Sequence, residues 1–291
     1  MNIEKIQINK TAYMVTYLLH QSAEYNVGKR KPLVIICPGG GYAFTSDREA
    51  EVIALKFNSI GMNAVVLWYS TNDVVKNIPQ NALYELLQAV SIVRNNVDSW
   101  LLDENNIWVC GFSAGGHLAL NGAVKSTNHL IAQKLGVSLS DIKINGVILG
   151  YPCVYQEQSF EEDDLGFAFG LITHPQTANE RFFGTKKPTK EDIEQFNLLN
   201  DITPETPPMF IWHTYEDQLV DVMNAIKLSY TLRKNNVPFE MHIFEKGEHG
   251  LSLADRTTAR KPSHYNSHVA KWFELCEEWL SNYIDNERER G

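Results

Sequence analysis

A serine, an aspartate and a histidine each lie in a short turn-like stretch directly after an apolar segment. Ser113 lies in GFSAG, Asp217 in HTYEDQLV and His249 in GEHGLSLA. A histidine beside a serine hydroxyl can take its proton, while an aspartate on the other ring nitrogen fixes the tautomer and stabilises the imidazolium. If folding brings these residues together, they are predicted to act as nucleophile, base and orienting acid.

The residues around Ser113 are typical of a sharp strand-to-helix turn. GFSAG follows the apolar run IWVC and precedes the helix-like GHLALNGAV. Such a turn needs small residues, and the nucleophile elbow uses it to present a serine hydroxyl clear of the backbone. The alternative is a glycine-rich turn in which the serine only caps the helix.

The segment PGGGY (38–42) is a second glycine-rich turn at a strand end. Glycines permit close backbone approach, so consecutive amides can point at one spot. The backbone amides of Gly40, Gly41 and Ala114 are therefore predicted to form an oxyanion hole. A phosphate-binding loop is disfavoured because the Walker and GxGxxG patterns are absent, but a purely structural turn stays open.

Other residues near these motifs offer alternatives for the acid and the base. Glu216 is the nearest competitor of Asp217, whereas Asp221 is expected on a solvated helix face. His213 and His242 fall within or at the end of strand-like runs, and His117 follows the elbow by one helical turn. We interpret these three histidines as structural.

Tyrosines follow several apolar runs, where ligands of open α/β sheets bind. The hydroxyls of Tyr42, Tyr69 and Tyr215 are placed where they could meet a sugar while their rings narrow the pocket. This arrangement would favour small acyl groups. Packing in the core or at the rim is the alternative for each ring.

Apolar, β-branched runs recur along the chain and predict buried strands of a mostly parallel sheet with helices on both faces. They are LVIIC (33–37), NAVVLWY (63–69), IWVCGF (107–112), GVILGY (146–151), PMFIWHT (208–214) and FEMHIF (239–244). The first 30 or so residues are predicted to form a hairpin or edge strands before this core.

Helical periodicity separates these strands. Helices are predicted to begin just after Pro79, to run from Leu219 to about Asn235, and to run from about Tyr265 to Tyr283. Another is predicted after Phe44, opened by a capping box in Ser46-Asp47-Arg48-Glu49. We expect one catalytic domain over residues 1–291, with a cap or lid inserted at 154–200.

Composition excludes several classes of protein. The formal net charge of −9 and the absence of a basic stripe argue against nucleic-acid binding. No apolar run approaches the length of a membrane helix, and the first residues do not resemble a secretory signal. Four cysteines without metal-like spacing suggest buried, reduced thiols. We therefore expect a cytoplasmic protein that needs no metal or other cofactor.

Five ordered motifs together, CPGGGY, SDREAE, GFSAGGHLA, PPMFIWHTYED and EHGLSLA, resemble the bacterial acetyl esterase/lipase-like α/β-hydrolases, which include xylan esterases and xylanase-associated esterases. The sequence is also similar to hormone-sensitive-lipase-like esterases, although Pro38 occupies the position of the histidine in their HGGG loop. The resemblance implies an α/β-hydrolase fold, the triad Ser113, Asp217 and His249, and the oxyanion loop named above.

The sequence therefore predicts a serine carboxylesterase that cleaves short acyl esters, acetyl esters of sugars or xylo-oligosaccharides among them. The expected partner is a small-molecule ester, and a homo-oligomer is left open. A prolyl-oligopeptidase-like peptidase shares the order of the triad but usually carries a large extra domain. A binding protein on a hydrolase scaffold is the remaining alternative, and the complete set of triad candidates speaks against it.

Overall fold

The computed structural model describes residues 1–22, 24, 28–71, 78–160 and 177–284. Eight strands form one sheet in the order β1-β2-β4-β3-β5-β6-β7-β8. They are β1 (Lys5–Gln7), β2 (Tyr13–Tyr17), β3 (Lys31–Cys37), β4 (Asn63–Trp68), β5 (Leu102–Phe112), β6 (Gly146–Gly150), β7 (Met209–Thr214) and β8 (Phe239–Phe244). Strands β3 to β8 pair in parallel, and β1 and β2 add an antiparallel edge.

The six predicted core strands are confirmed as β3 to β8, with small differences at their ends. The largest difference is in β5, which begins at Leu102 rather than at residue 107. The predicted N-terminal hairpin is confirmed as β1 and β2. The α/β fold class is therefore confirmed.

Eight α-helices accompany the sheet in the described part of the chain. They are α1 (Glu51–Ser59), α2 (Ile78–Asn95), α3 (Ala114–Lys125), α4 (His129–Leu135), α5 (Ala178–Phe183), α6 (Lys190–Phe196), α7 (Met223–Lys234) and α8 (Trp272–Ile284). Alternate side chains of the strands enter cores on opposite faces of the sheet, as in β3, where Leu33 and Ile35 enter one core and Val34 and Ile36 the other. Helices α2, α3 and α7 cover the first core, and α1 and α8 cover the second.

The predicted capping box at Ser46 is wrong. Residues Asp47–Glu49 form a 3-10 turn, and the side chain of Ser46 makes no capping hydrogen bond. The Glu49 carboxylate points inward instead, where the Gly39 amide and the Tyr151 hydroxyl donate to it. Helix α1 begins two residues later, at Glu51.

Two other helix starts also differ from the prediction. Helix α7 begins at Met223 rather than Leu219, because the carboxylate of Asp217 accepts hydrogen bonds from the amides of Leu219 and Val220 and holds them in a loop. Helix α8 begins at Trp272, after a 3-10 turn at Val269–Lys271.

The insertion predicted at 154–200 is described only in part, since residues 161–176 lie outside the described residues. Its described portion contains α5, α6 and a 3-10 turn at Leu198–Asp201. The guanidinium of Arg181 on α5 is buried and donates to the carbonyl of Gly41 at 2.8 Å. The insertion therefore contacts the glycine-rich loop, and its role as a lid stays a prediction.

Candidate active site

Ser113 lies at the bend between β5 and α3. Its φ of 52° and ψ of −119° place a non-glycine residue in a strained conformation, which is typical of a nucleophile elbow. The flanking glycines make the bend possible. A Cβ atom on Gly111 would lie 2.1 Å from the carbonyl oxygen of Gly115, and one on Gly115 would lie 2.1 Å from that of Cys37.

Folding brings the three predicted residues together in one hydrogen-bonded chain. Nε2 of His249 lies 2.8 Å from Oγ of Ser113, and Nδ1 of His249 lies 2.6 Å from Oδ2 of Asp217. A proton on Nδ1 facing the carboxylate leaves the lone pair of Nε2 free to accept from the serine hydroxyl. The loops after β5, β7 and β8 supply one residue each.

The Asp217 carboxylate is buried and accepts from four donors. Oδ1 accepts from the amides of Leu219 and Val220, both at 2.9 Å. Oδ2 accepts from His249 and also lies 3.3 Å from Nε2 of His213, whose side chain is fully buried. Burial raises the pKa of Asp217, but the hydrogen bonds from His213 and His249 outweigh it and hold the pKa well below its usual range. Asp217 is therefore an anion that faces the imidazole.

The glycine-rich loop packs against the elbow. A Cβ on Gly39 would lie 3.1 Å from Cβ of Ser113, so this backbone is adjacent to Ser113. Gly40 has a φ of +129°, where a Cβ would lie 2.1 Å from the carbonyl oxygen of Phe44. Among the described residues, no group accepts a hydrogen bond from the amides of Gly40, Gly41 or Ala114.

The predicted roles of Tyr42 and Tyr69 in contacting substrate are wrong in this structure. Both side chains are buried, and their hydroxyls are bonded inside the protein. Tyr42 lies 2.9 Å from Nδ1 of His117, and Tyr69 donates to the carbonyl of Pro38 at 2.5 Å. Tyr69 is thus bonded to the backbone of the glycine-rich loop, and Tyr42, the last residue of that loop, is joined to helix α3. Tyr215, by contrast, is 68% exposed and lines a cleft of about 790 Å³ beside Asp217.

The other candidate residues lie outside the hydrogen-bonded chain. Glu216 pairs with Lys246 at the surface, and His242 pairs with Glu240. His117 is buried in α3 and stacks on Phe196. His213 differs from the interpretation as a purely structural residue, because it contacts the acid directly.

Three residues of the site escaped the sequence reasoning. His213 lies in β7, four residues before Asp217, and its contact with Asp217 depends on the turn between them, which the spacing alone does not predict. The spacing of Glu49 from Ser46 predicts a helix cap, and Tyr151 is one of several tyrosines at the ends of strand-like runs. Their hydrogen bonds to each other and to the loops of the site are long-range in sequence, so no local pattern indicates them.

In the described ranges, no group of three or more His, Cys, Asp and Glu side chains is arranged to hold a metal ion. No described helix combines the length and the apolarity needed to cross a membrane. All four cysteines are buried and carry free thiols, so their predicted burial is confirmed.

A mostly parallel sheet with a serine elbow after β5, an acid after β7 and a histidine after β8 defines an α/β-hydrolase. The BD-FAE family profile matches residues 19–232, and the chain belongs to that family. Endo-1,4-beta-xylanase B of Butyrivibrio fibrisolvens is 32% identical over 238 residues, which are 79% of this chain and 34% of that protein.

Two further proteins are similar to this chain. An acetylxylan esterase of Xylanibacter ruminicola is 27% identical over 76% of this chain and 41% of its own length. The structure of the carboxylesterase Cest-2923 from Lactobacillus plantarum superposes with a TM-score of 0.81 at 26% identity, covering 97% of this chain and 98% of the other. The chain thus spans about a third to two fifths of the two curated relatives, and nearly the whole of the esterase structure. The predicted resemblance to esterases of the α/β-hydrolase class is therefore confirmed.

Proposed function

We propose that the chain hydrolyses short acyl esters through an acyl-enzyme on Ser113. Oγ attacks the ester carbonyl as its proton passes to Nε2 of His249, and the tetrahedral intermediate collapses by expelling the alcohol, which takes that proton. Water, activated by the same imidazole, then attacks the acyl-enzyme, and the acid product leaves as Ser113 regains its proton. Asp217 stabilises the imidazolium in both halves of the reaction.

The observation that carries this proposal is the continuous chain of hydrogen bonds from Asp217 through His249 to Ser113. We assign the oxyanion hole to the amides of Gly40, Gly41 and Ala114. Two features support that assignment: Gly39, which precedes the two glycines, lies against Ser113 while Ala114 follows Ser113 directly, and no described group accepts a hydrogen bond from the three amides.

Substitution of Ser113 by alanine tests the nucleophile. With p-nitrophenyl acetate as substrate, kcat is expected to fall by several orders of magnitude, since only the oxyanion hole and substrate binding remain. A fluorophosphonate should label the wild type once per chain and leave the variant unlabelled. Ser59→Ala, at an exposed serine at the end of α1, is the matched control. Esterase activity of the Ser113 variant close to wild type would refute the proposal.

For the substrate, we propose acetyl groups on xylose-containing oligosaccharides. The similarity to the acetylxylan esterase of Xylanibacter ruminicola supports the acyl group and the sugar, and the exposed ring of Tyr215 lies beside Asp217. A long apolar groove would gain about 0.8 kcal/mol for each buried methylene and would favour longer chains. We therefore expect kcat/KM to be highest for the acetyl ester in a series of acetyl, butyryl and octanoyl p-nitrophenyl esters. A maximum at octanoyl would contradict this choice.

We also propose that the reaction needs no metal and takes place in the cytoplasm. The proposed chemistry uses only protein groups, and four free buried thiols suit a reducing compartment. Activity should survive both EDTA and a thiol reductant, and cell fractionation should find the activity with the cytosolic markers. Loss of activity on chelation that zinc or calcium restores would contradict the first part.

A further inference from the structure

We propose that Glu49 and Tyr151 are positioning residues that join the glycine-rich loop to the loop carrying His249 and hold the imidazole in its working orientation. This inference rests on the esterase function proposed above. It concerns two side chains outside the Ser-His-Asp chain.

Glu49 makes the first connection. Glu49 follows β3 in the chain, and its side chain is buried. Removing a carboxylate from water costs free energy unless its oxygens are hydrogen-bonded. Oε2 accepts from the amide of Gly39 at 2.7 Å, and Oε1 accepts from the hydroxyl of Tyr151 at 2.5 Å. One carboxylate therefore binds both the backbone that precedes the proposed oxyanion donors and a residue that follows β6.

Tyr151 makes the second connection. Its hydroxyl donates to Glu49 and accepts from the amide of Ser252 at 2.9 Å, three residues after His249. The centre of its ring lies 5.0 Å from that of His249, at an interplanar angle of 69°. Burial, and then the charge of Glu49, raise the pKa of Tyr151, so the hydroxyl keeps the proton that it donates. The same side chain thus holds the backbone of the His249 loop by its hydroxyl and contacts the imidazole by its ring.

Backbone strain at these positions shows why such a connection is needed. Tyr151, Ser252 and Ala254 have φ values of 38°, 56° and 54°, in the left-handed region that non-glycine residues rarely occupy. Strain of this kind persists only where the surroundings hold it in place. A bond between the Tyr151 hydroxyl and the Ser252 amide joins two of the three strained residues directly.

Tyr151→Phe is the central test, because it removes both hydrogen bonds and keeps the ring against His249. On p-nitrophenyl acetate, kcat should fall by about tenfold to about 100-fold, the range expected for a small misplacement of a catalytic group. KM should change by less than about twofold, since neither residue touches the substrate. The rate constant of fluorophosphonate labelling should fall in parallel with kcat, while the final stoichiometry stays at one label per chain.

The labelling measurement separates positioning from damage to the fold. A partly misfolded variant would lower the final stoichiometry and leave the rate constant of the active fraction unchanged, and that result would overturn the proposal. Glu49→Gln keeps an oxygen for the Gly39 amide but cannot also accept from Tyr151, so it should lose activity in the same direction. The double variant should be no less active than the less active of the two single variants, because both changes break the hydrogen bond between Glu49 and Tyr151.

Tyr17→Phe is the matched control. Tyr17 is also a buried tyrosine whose hydroxyl donates to a glutamate, Glu51 Oε2 at 3.0 Å, but it lies on β2 near the sheet edge. Its kcat and labelling rate should equal those of the wild type. If the wild type hydrolyses no ester, or Ser113→Ala stays active, the proposed function fails. If those two behave as expected and Tyr151→Phe matches the wild type, only the positioning role fails.

Discussion

His213 Nε2 lies 3.3 Å from Oδ2 of Asp217, the oxygen that also accepts from His249. The same nitrogen lies 2.9 Å from the carbonyl oxygen of Val220, so its proton is held between that carbonyl and the carboxylate. Oδ2 of Asp217 therefore faces two imidazoles. His249 belongs to the proposed catalytic chain, and His213 lies outside it. The carboxylate that faces His249 therefore has a second imidazole within 3.3 Å of the same oxygen.

His213→Leu is expected to lower kcat/KM for p-nitrophenyl acetate by about tenfold to about 100-fold, since a hydrogen bond to a charged group contributes about 1.5–3 kcal/mol. His213→Gln can place an amide nitrogen near the position of Nε2 and should recover much of the loss. Equal losses in the two variants would show that the shape of the side chain matters and its donor does not.

Asp217→Asn should reduce kcat by about 10⁴-fold, because an asparagine at this position stabilises the wrong imidazole tautomer. Glu216→Gln is the adjacent control. Its carboxylate pairs with Lys246 at the surface, where ion pairs contribute little, so kcat should stay within about twofold of the wild type. A large loss in the Glu216 variant alone would transfer the role of the acid to that residue.

Gly40→Ala should lower kcat by at least about 100-fold, the cost of losing an oxyanion donor. A Cβ there would lie 2.1 Å from the carbonyl oxygen of Phe44, so the loop must move. Gly136→Ala is the control, since Gly136 has a φ of +71° and open space around it at the end of α4. That change should reduce stability by roughly 1 kcal/mol and leave kcat unchanged. Comparable kcat values for the two variants would argue against the assigned oxyanion loop.

His117 should make the protein less stable in mild acid. Burial lowers the pKa of His117 to about 4, and a hydrogen bond to the Phe196 carbonyl offsets this only in part. Below the ordinary histidine pKa of about 6.5, the unfolded chain takes up a proton that the folded chain refuses until about pH 4. The free energy of unfolding should therefore fall by about 2–3 kcal/mol from this group between pH 7 and pH 4.5.

His117→Phe keeps the stacking on Phe196 and removes the titrating group. It should be less stable at pH 7, because the Tyr42 hydroxyl loses its partner, but its stability should depend less steeply on pH. Urea unfolding at the two pH values measures the difference. His129→Gln, at an exposed histidine of α4, should show the pH dependence of the wild type. Parallel pH profiles for His117→Phe and the wild type would contradict the assignment.

The sequence predicted those features that depend on local pattern. Six strands and the loops carrying Ser113, Asp217 and His249 follow from apolar runs and from the small residues at their ends. The geometry of the triad then follows from topology, because the carboxyl ends of parallel strands meet at one edge of the sheet.

What the sequence could not predict depends on the direction of single side chains. Ser46 and Glu49 have the spacing of a capping box. The Glu49 carboxylate instead accepts hydrogen bonds from the Gly39 amide and the Tyr151 hydroxyl, which are both buried beside it. Tyr42 and Tyr69 lie at the predicted edge of the sheet, yet their hydroxyls point to partners in the interior. A pattern locates the backbone of such residues and leaves the orientation of the side chain open.

The indole of Trp272 donates to the carbonyl of Ser252 at 2.9 Å, and this hydrogen bond joins the His249 loop to helix α8. During synthesis, the segment with Ser113 leaves the ribosome long before Trp272 has been added. The loop gains this anchor only after α8 has been made and has folded back against the sheet. A nascent chain that stops short of Trp272 would lack this anchor of the His249 loop, so we expect full esterase activity to appear only after the second core has closed.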